Sequence, residues 1–127
     1  MRAHRSVRGA LGEQLAAEFL LAMGWQLLRR NLRLARDEID LLAIDPHPPG
    51  SLVLVEVRSL QTAAFGAPEE RVDRAKVRRL YRAAARLRAS LPAGARLARL
   101  PIRVDLIVVD RRFGRTDIRH LRGLEPP

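Results

Sequence analysis

Asp40 and Glu56, with Arg58 two positions further on, are the residues of this chain whose types and spacing are best suited to chemistry. Asp40 lies in the strand-like run Asp37 to Asp45 and Glu56 in the run Ser51 to Arg58, and the five residues Pro46 to Gly50 join them. Closing that connection as a simple hairpin puts Asp40 opposite Glu56 and Glu38 opposite Arg58. Side chains so paired stand about 5 Å apart at Cβ, and like charges there destabilise the sheet unless something positive sits between them. A divalent cation is the obvious partner. With no cysteine and three scattered histidines (His4, His47, His120), such a cation would be hard and oxygen-bound, not a thiolate or histidine zinc. The rival reading is two solvated acids at a sheet end, with Arg58 simply paired to Glu38.

The elements that must position these groups follow from periodicity. Leu11, Leu15, Phe19 and Met23 recur every fourth residue, widened by Ala16 and Leu20, which predicts a first helix over 10–23 ended by Gly24. Trp25 to Leu34 reads as a strand carrying Arg29, Arg30 and Arg33, and the two hairpin strands follow it as an antiparallel meander. Leu52, Leu54 and Glu56 share one face of the third strand and Val53, Val55 and Val57 the other. A strand apolar on both sides belongs inside a covered sheet, so helices must lie on both faces. Glu69 to Leu91 supplies the second helix, between Pro68 and Pro92, with Val72, Lys76, Leu80, Ala84, Leu87 and Leu91 on its inner line. Ile102 to Asp110 and Thr116 to Leu121 are further strands, and Pro92 to Pro101 reads as a loose loop. The order is αβββαββ.

At 127 residues and 47% apolar, the chain reads as one domain, 1–127, with its core at about 10–121. The basic start, Met1 to Arg8, precedes an apolar stretch broken by Glu13 and Glu18, so neither a signal peptide nor a membrane span is expected, and the reading is cytoplasmic. A net charge of +10 asks for a polyanionic partner, of which nucleic acid is the commonest. Arg71, Arg74, Arg78 and Arg82 form a ridge on the second helix, and Arg29, Arg30 and Arg33 extend it as a track for a phosphate backbone. Aromatic residues make up only 4%, too few for a stacking platform, and Phe65, in the loop after the third strand, is expected to pack over the helix start, the alternative being a wedge or stack on bases. Lys76 is the only lysine in an arginine-rich chain, and it falls on the inner line of its helix.

The succession Gly12-Glu13, Gly24-Trp25, Arg30-Asn31, Glu38-Ile39-Asp40-Leu41, Val55-Glu56-Val57-Arg58, Phe65-Gly66, Lys76 and Arg103-Val104-Asp105 resembles the YraN-like proteins. These are an uncharacterised bacterial family related to Holliday junction resolvases and to restriction endonuclease-like nucleases. The resemblance runs from about Gly12 to about Leu121 and implies a PD-(D/E)xK core, a mixed sheet flanked by helices. On that pattern the metal-binding Asp maps to Asp40, the second-motif Glu to Glu56 and the first-helix Glu to Glu13. The chain departs from it in three places: Asp37 stands where the family usually has Gly, Arg58 where it has Lys, and Leu60 where it has Arg.

What the resemblance implies is hydrolysis of a phosphodiester, with Mg²⁺ or Mn²⁺ held by Asp40, Glu56 and the carbonyl of Val57. Arg58 would steady the charge building on phosphorus, and Glu13 would orient the attacking water. Arginine stays protonated, so Arg58 is excluded as a general base. Lys76, on the inner line of its helix, has two readings: it snorkels along the sheet edge, or it reaches the metal site and supplies the amine that Arg58 cannot. The expected function is therefore a metal-dependent DNA endonuclease, selective for branched structures and, like resolvases, a homodimer. The alternative is a catalytically inactive fold of the same kind, serving as a nucleic-acid-binding or protein-interaction module.

Overall fold

The computed structural model describes residues 7–61 and 73–126. Helix α1 (Val7–Ala22) leads into strands β1 (Gln26–Leu34), β2 (Asp37–Asp45) and β3 (Ser51–Leu60), then helix α2 (Arg74–Ser90) and strands β4 (Ile102–Asp110) and β5 (Asp117–Leu121). The five strands lie in sequence order in one sheet, antiparallel throughout except that β3 and β4 are parallel. The expected order and the covered central strand are both found. A short 3-10 helix, Arg96–Arg99, occupies the stretch expected to be a loose loop. Among the described residues no helix is long and apolar enough to cross a membrane.

The sheet separates two layers of core. On one side Leu42, Ile44, Leu52, Leu54 and Val104 pack against Leu80, Ala83, Ala84 and Leu87 of α2. On the other, Leu41, Ala43, Val53, Val55, Ile107 and Val109 pack against Ala16, Ala17 and Leu20 of α1. β3 is apolar on both sides because a helix lies on each.

At its ends the inward face of α1 differs from the one its large apolar residues suggest. Leu11 and Met23 are 38% and 40% exposed, while Gly12, Glu13, Ala16, Ala17 and Leu20 are buried. Small residues let the helix backbone approach the sheet closely. A Cβ at position 12 would stand 1.8 Å from Ser59 Oγ and 3.2 Å from its Cβ, so α1 rests close on β3 there and any larger residue would have to displace the serine hydroxyl. Gly24, at φ +86°, then turns the chain out of the helix as expected.

Helix α2 is capped by Asp73, whose carboxylate accepts the N–H of Ala75 at 2.9 Å. Val72 and the expected start at Glu69 lie outside the described residues, and Pro92 follows the helix as expected.

Candidate functional site

The β2–β3 hairpin pairs in the anticipated register from Asp45↔Ser51 to Leu41↔Val55, and there the ladder stops. Beyond that point β2 stays with β1 as far as Asp37↔Leu34, while β3 continues along β4 to Leu60↔Asp110. A wedge opens between them, and Asp40 sits at its apex. Instead of facing Glu56 across a ladder pair, Asp40 turns its carboxylate into the wedge, where Oδ2 accepts the N–H of Val57 at 2.8 Å. In a strand the N–H and C=O of one residue leave by the same edge, so the Val57 carbonyl faces the wedge too.

A local irregularity makes this possible. Ile39 shares the α2-side core with Leu42 and Ile44, whereas Leu41 belongs to the α1 side, so the alternation of β2 slips by one residue at Asp40. Across on β1 the matching position is Asn31, which takes φ 52° and falls where the pairing skips from Arg30↔Leu41 to Leu32↔Ile39. Asparagine tolerates this left-handed conformation better than most residues. The Asn31 Oδ1 is buried without a hydrogen-bond partner. Sequence reading noted Arg30-Asn31 and assigned no role to the amide.

Glu56 projects to the α2 side, and Lys76 Nζ stands 3.4 Å from its Oε2. The lysine side chain is 39% exposed, that of Glu56 only 16%. The other oxygen, Oε1, is buried without a hydrogen-bond partner. Burial pushes the Glu56 carboxyl up, the adjacent Asp40 charge pushes it further, and Lys76 offsets part of this, leaving it at about 7 against an ordinary 4.5. Burial likewise raises Asp40 above its ordinary value, against the opposing bond from Val57. Two carboxyls are thus held together where their joint ionisation is costly. Among the described residues no group of three or more acidic or histidine side chains converges on one point. The donors at hand are two carboxylates and one carbonyl.

The remaining anticipated residues are distributed around this pair. Arg58 is half-buried on β3, two residues past Glu56. Glu13 is buried on α1, the helix that covers the opposite face of the sheet. Arg29, Arg30 and Arg33 are exposed on β1, although Arg30 donates to Gln14 Oε1 at 2.5 Å and is thereby tied to α1. Arg74, Arg78 and Arg82 are exposed on α2. Arg82 is already engaged, donating to both oxygens of Asp37 at 3.0 and 3.3 Å. Asp37 carries a buried carboxylate whose pKa that bond lowers. Arg71 and Phe65 lie outside the described residues.

Comparison with known proteins gives one consistent answer. A model of the "Uncharacterised protein family UPF0102" matches residues 12–109. A UPF0102 protein of Beutenbergia cavernae is 42% identical over 125 residues, spanning 98% of this chain and 99% of its own. One from an Arthrobacter species is 38% identical with the same coverage of both chains, and one from Symbiobacterium thermophilum is 42% identical over 80% of each. The matched region contains the wedge, the acidic pair and Lys76, and the chain belongs to the UPF0102 family.

Proposed function

We propose that this protein is a metal-dependent nuclease that hydrolyses phosphodiester bonds in DNA, with a preference for branched structures, and that its mixed sheet with flanking helices is a restriction endonuclease-like core. The observation that carries the reading is the Asp40–Glu56 pair: two adjacent, largely buried carboxyls, one with an orphaned oxygen, beside a strand carbonyl on the same open edge. Buried polar atoms are normally satisfied, and these two carboxyls meet that need by sharing a proton, whose place a bound cation would take. Hard oxygen donors suit Mg²⁺ or Mn²⁺, and magnesium needs only one or two protein carboxylates because it keeps several waters.

In this reading Asp40, Glu56 and the Val57 carbonyl hold the cation. The cation, when bound, supplies Lewis-acid polarisation of the phosphate and a more acidic water. Val57 N–H fixes one oxygen of Asp40 and so sets the orientation of the carboxylate. Lys76, reaching Glu56 from α2, brings a positive charge to the rim where the phosphate must sit. Arg58 stays protonated and stabilises negative charge on the phosphoryl oxygens. The water proton passes to solvent or to a substrate oxygen, because Arg58 cannot take it.

Titration of Mn²⁺ into wild type and Asp40→Asn, with a cleavage assay on a four-way DNA junction, tests the proposal. Wild type should bind the ion weakly and cut, and the variant should lose both by at least about 100-fold. Unchanged cleavage in Asp40→Asn, or no Mn²⁺ binding in wild type, defeats it. A Lys76→Arg variant with full cleavage removes the lysine from the mechanism. One observation favours the second reading, a fold that binds without cutting: Lys76 already offers Glu56 a cation. An inert protein with steeply salt-dependent DNA binding is its signature.

A further inference from the structure

Between the β1–β2 turn and the first half of α2 lies a cleft of about 220 Å³, lined by Arg33, Arg36, Asp37, Glu38, Lys76 and Arg79. Its size is far above the roughly 10–15 Å³ that one water needs. Leu80 completes the lining, and of these seven side chains four are cationic and two, Asp37 and Glu38, are anionic. Asp37 is held from outside the cleft by the paired donors of Arg82, so its charge is largely spent. Arg79 adds to the positive field that holds the Asp37 carboxyl below its ordinary value, after the bond from Arg82. Cations gathered around a concavity repel one another, and an anion entering it relieves that repulsion. Guanidinium forks from different elements suit one tetrahedral oxyanion better than they suit a flat or apolar ligand.

The position of the cleft adds to its chemistry. Lys76 belongs both to its lining and to the ion pair with Glu56, so cleft and acidic pair are neighbours sharing one side chain. Arg36 comes from the two-residue turn Ala35–Arg36, Arg33 from β1 and Arg79 from α2, so three elements fixed by the fold converge on it.

We propose that this cleft is a second phosphate subsite, gripped by Arg33, Arg36 and Arg79, which holds a backbone phosphate of the strand adjacent to the phosphate at Asp40 and Glu56. The inference deepens the nuclease reading and rests on it for the identity of the strand. It makes the substrate a polynucleotide with at least two phosphates in reach. Lys76 spans the two positions.

The test uses the full chain in EDTA, so that binding is read without the cation. Duplex affinity is measured against salt for wild type, for Arg36→Ala/Arg79→Ala, and for a charge-matched control, Arg96→Ala/Arg99→Ala, in the 3-10 helix. The cleft variant should lose at least about 10-fold in affinity at 0.1 M salt, with a salt slope shallower by about one to two. The control should lose less than half as much on a logarithmic scale, and Arg36→Lys/Arg79→Lys should recover part of the loss. Equal losses in cleft variant and control, or no loss in the cleft variant, overturn the proposal. Inorganic phosphate that binds wild type but not the cleft variant, with duplex affinity equal in the two, overturns the strand assignment in favour of a free anion. Mn²⁺ titration reports separately on Asp40 and Glu56. Its failure alongside a cleft-dependent duplex affinity defeats the metal reading and leaves the subsite standing.

Discussion

One strand away from the Glu56 site lies another buried carboxylate, and the two are treated in opposite ways. Asp105, in register with Val55, is fully buried. It receives Arg103 Nε and Nη2 at 2.8 and 2.9 Å, a ring nitrogen of His120 at 2.8 Å and the N–H of Gly123 at 2.9 Å. Burial alone would raise its pKa, yet these partners outweigh burial and hold it below the ordinary value. Arg103 is shared with Asp45, whose carboxyl is carried down to about 2 by bonds from His47 and Arg103 that also exceed its burial cost. Glu56 is buried less completely and has one cation, at 3.4 Å, against it. At Asp105 the fold spends its hydrogen bonds on stability. At Asp40 and Glu56 it leaves charge unbalanced, which is what a site awaiting a positively charged ligand requires.

The largest effect should come from breaking the balanced site. Asp105→Asn removes one charge from a buried pair and leaves Arg103 facing an amide, a class of change that costs about 3–5 kcal/mol. Because Asp45 still holds Arg103 at 3.0 Å, the loss should fall near about 3 kcal/mol, read by urea unfolding at pH 7. A loss below about 1 kcal/mol would erase the contrast between the two regions. Glu56→Gln should do the reverse.

The two regions should also carry opposite pH slopes. Glu56 has a folded pKa raised from 4.5 to about 7, so the folded state binds the proton more tightly. Its contribution to stability is present below pH 4.5 and lost as pH rises through about 7, on the order of 2–3 kcal/mol in EDTA. Asp105 and Asp45, both lowered from 3.8, contribute stability above that value and lose it as pH falls. Unfolding measured from pH 4.5 to 8 should therefore show stability declining in wild type and declining less in Glu56→Gln, where only the raised Asp40 carboxyl remains. Equal slopes in the two proteins would place the titration elsewhere.

How much of this was legible beforehand depended on the range of the signal. The hairpin register followed from a five-residue connection and strand alternation, both local, and the structure reproduces it from Leu41↔Val55 to Asp45↔Ser51. The face of α1 was legible in its middle, where Leu15, Ala16, Phe19 and Leu20 meet the core, but not at its ends, where Leu11 and Met23 are exposed and Gly12 approaches Ser59. The slip at Asp40 depends on Asn31 adopting φ 52° on a neighbouring strand, a pairing with no local pattern to reveal it. Arg82 was read as one of a ridge, and its attachment to Asp37, 45 positions earlier in the chain, is a contact that helical spacing cannot show. Arg36 and Arg79 were passed over for the same reason, since only the folded chain brings the turn and α2 to one cleft.

Lys76 offers the finest discrimination between the regions, because it sets a cation against the unbalanced pair. At 3.4 Å from Glu56 but 39% exposed, its attraction is screened by water and should be far weaker than the Arg103–Asp105 contact, in which the arginine is 25% exposed and the aspartate fully buried. Lys76→Gln should therefore move the Glu56 midpoint upward from about 7 by roughly half a unit to one unit, read from the carboxyl carbon shift in NMR. The sign follows because removing a nearby positive charge disfavours the carboxylate. Stability below pH 4.5, where Glu56 is protonated and the ion pair does not form, should be unchanged. A midpoint that falls instead would mean that another cation replaces Lys76, so that the pair is balanced after all and resembles Asp105.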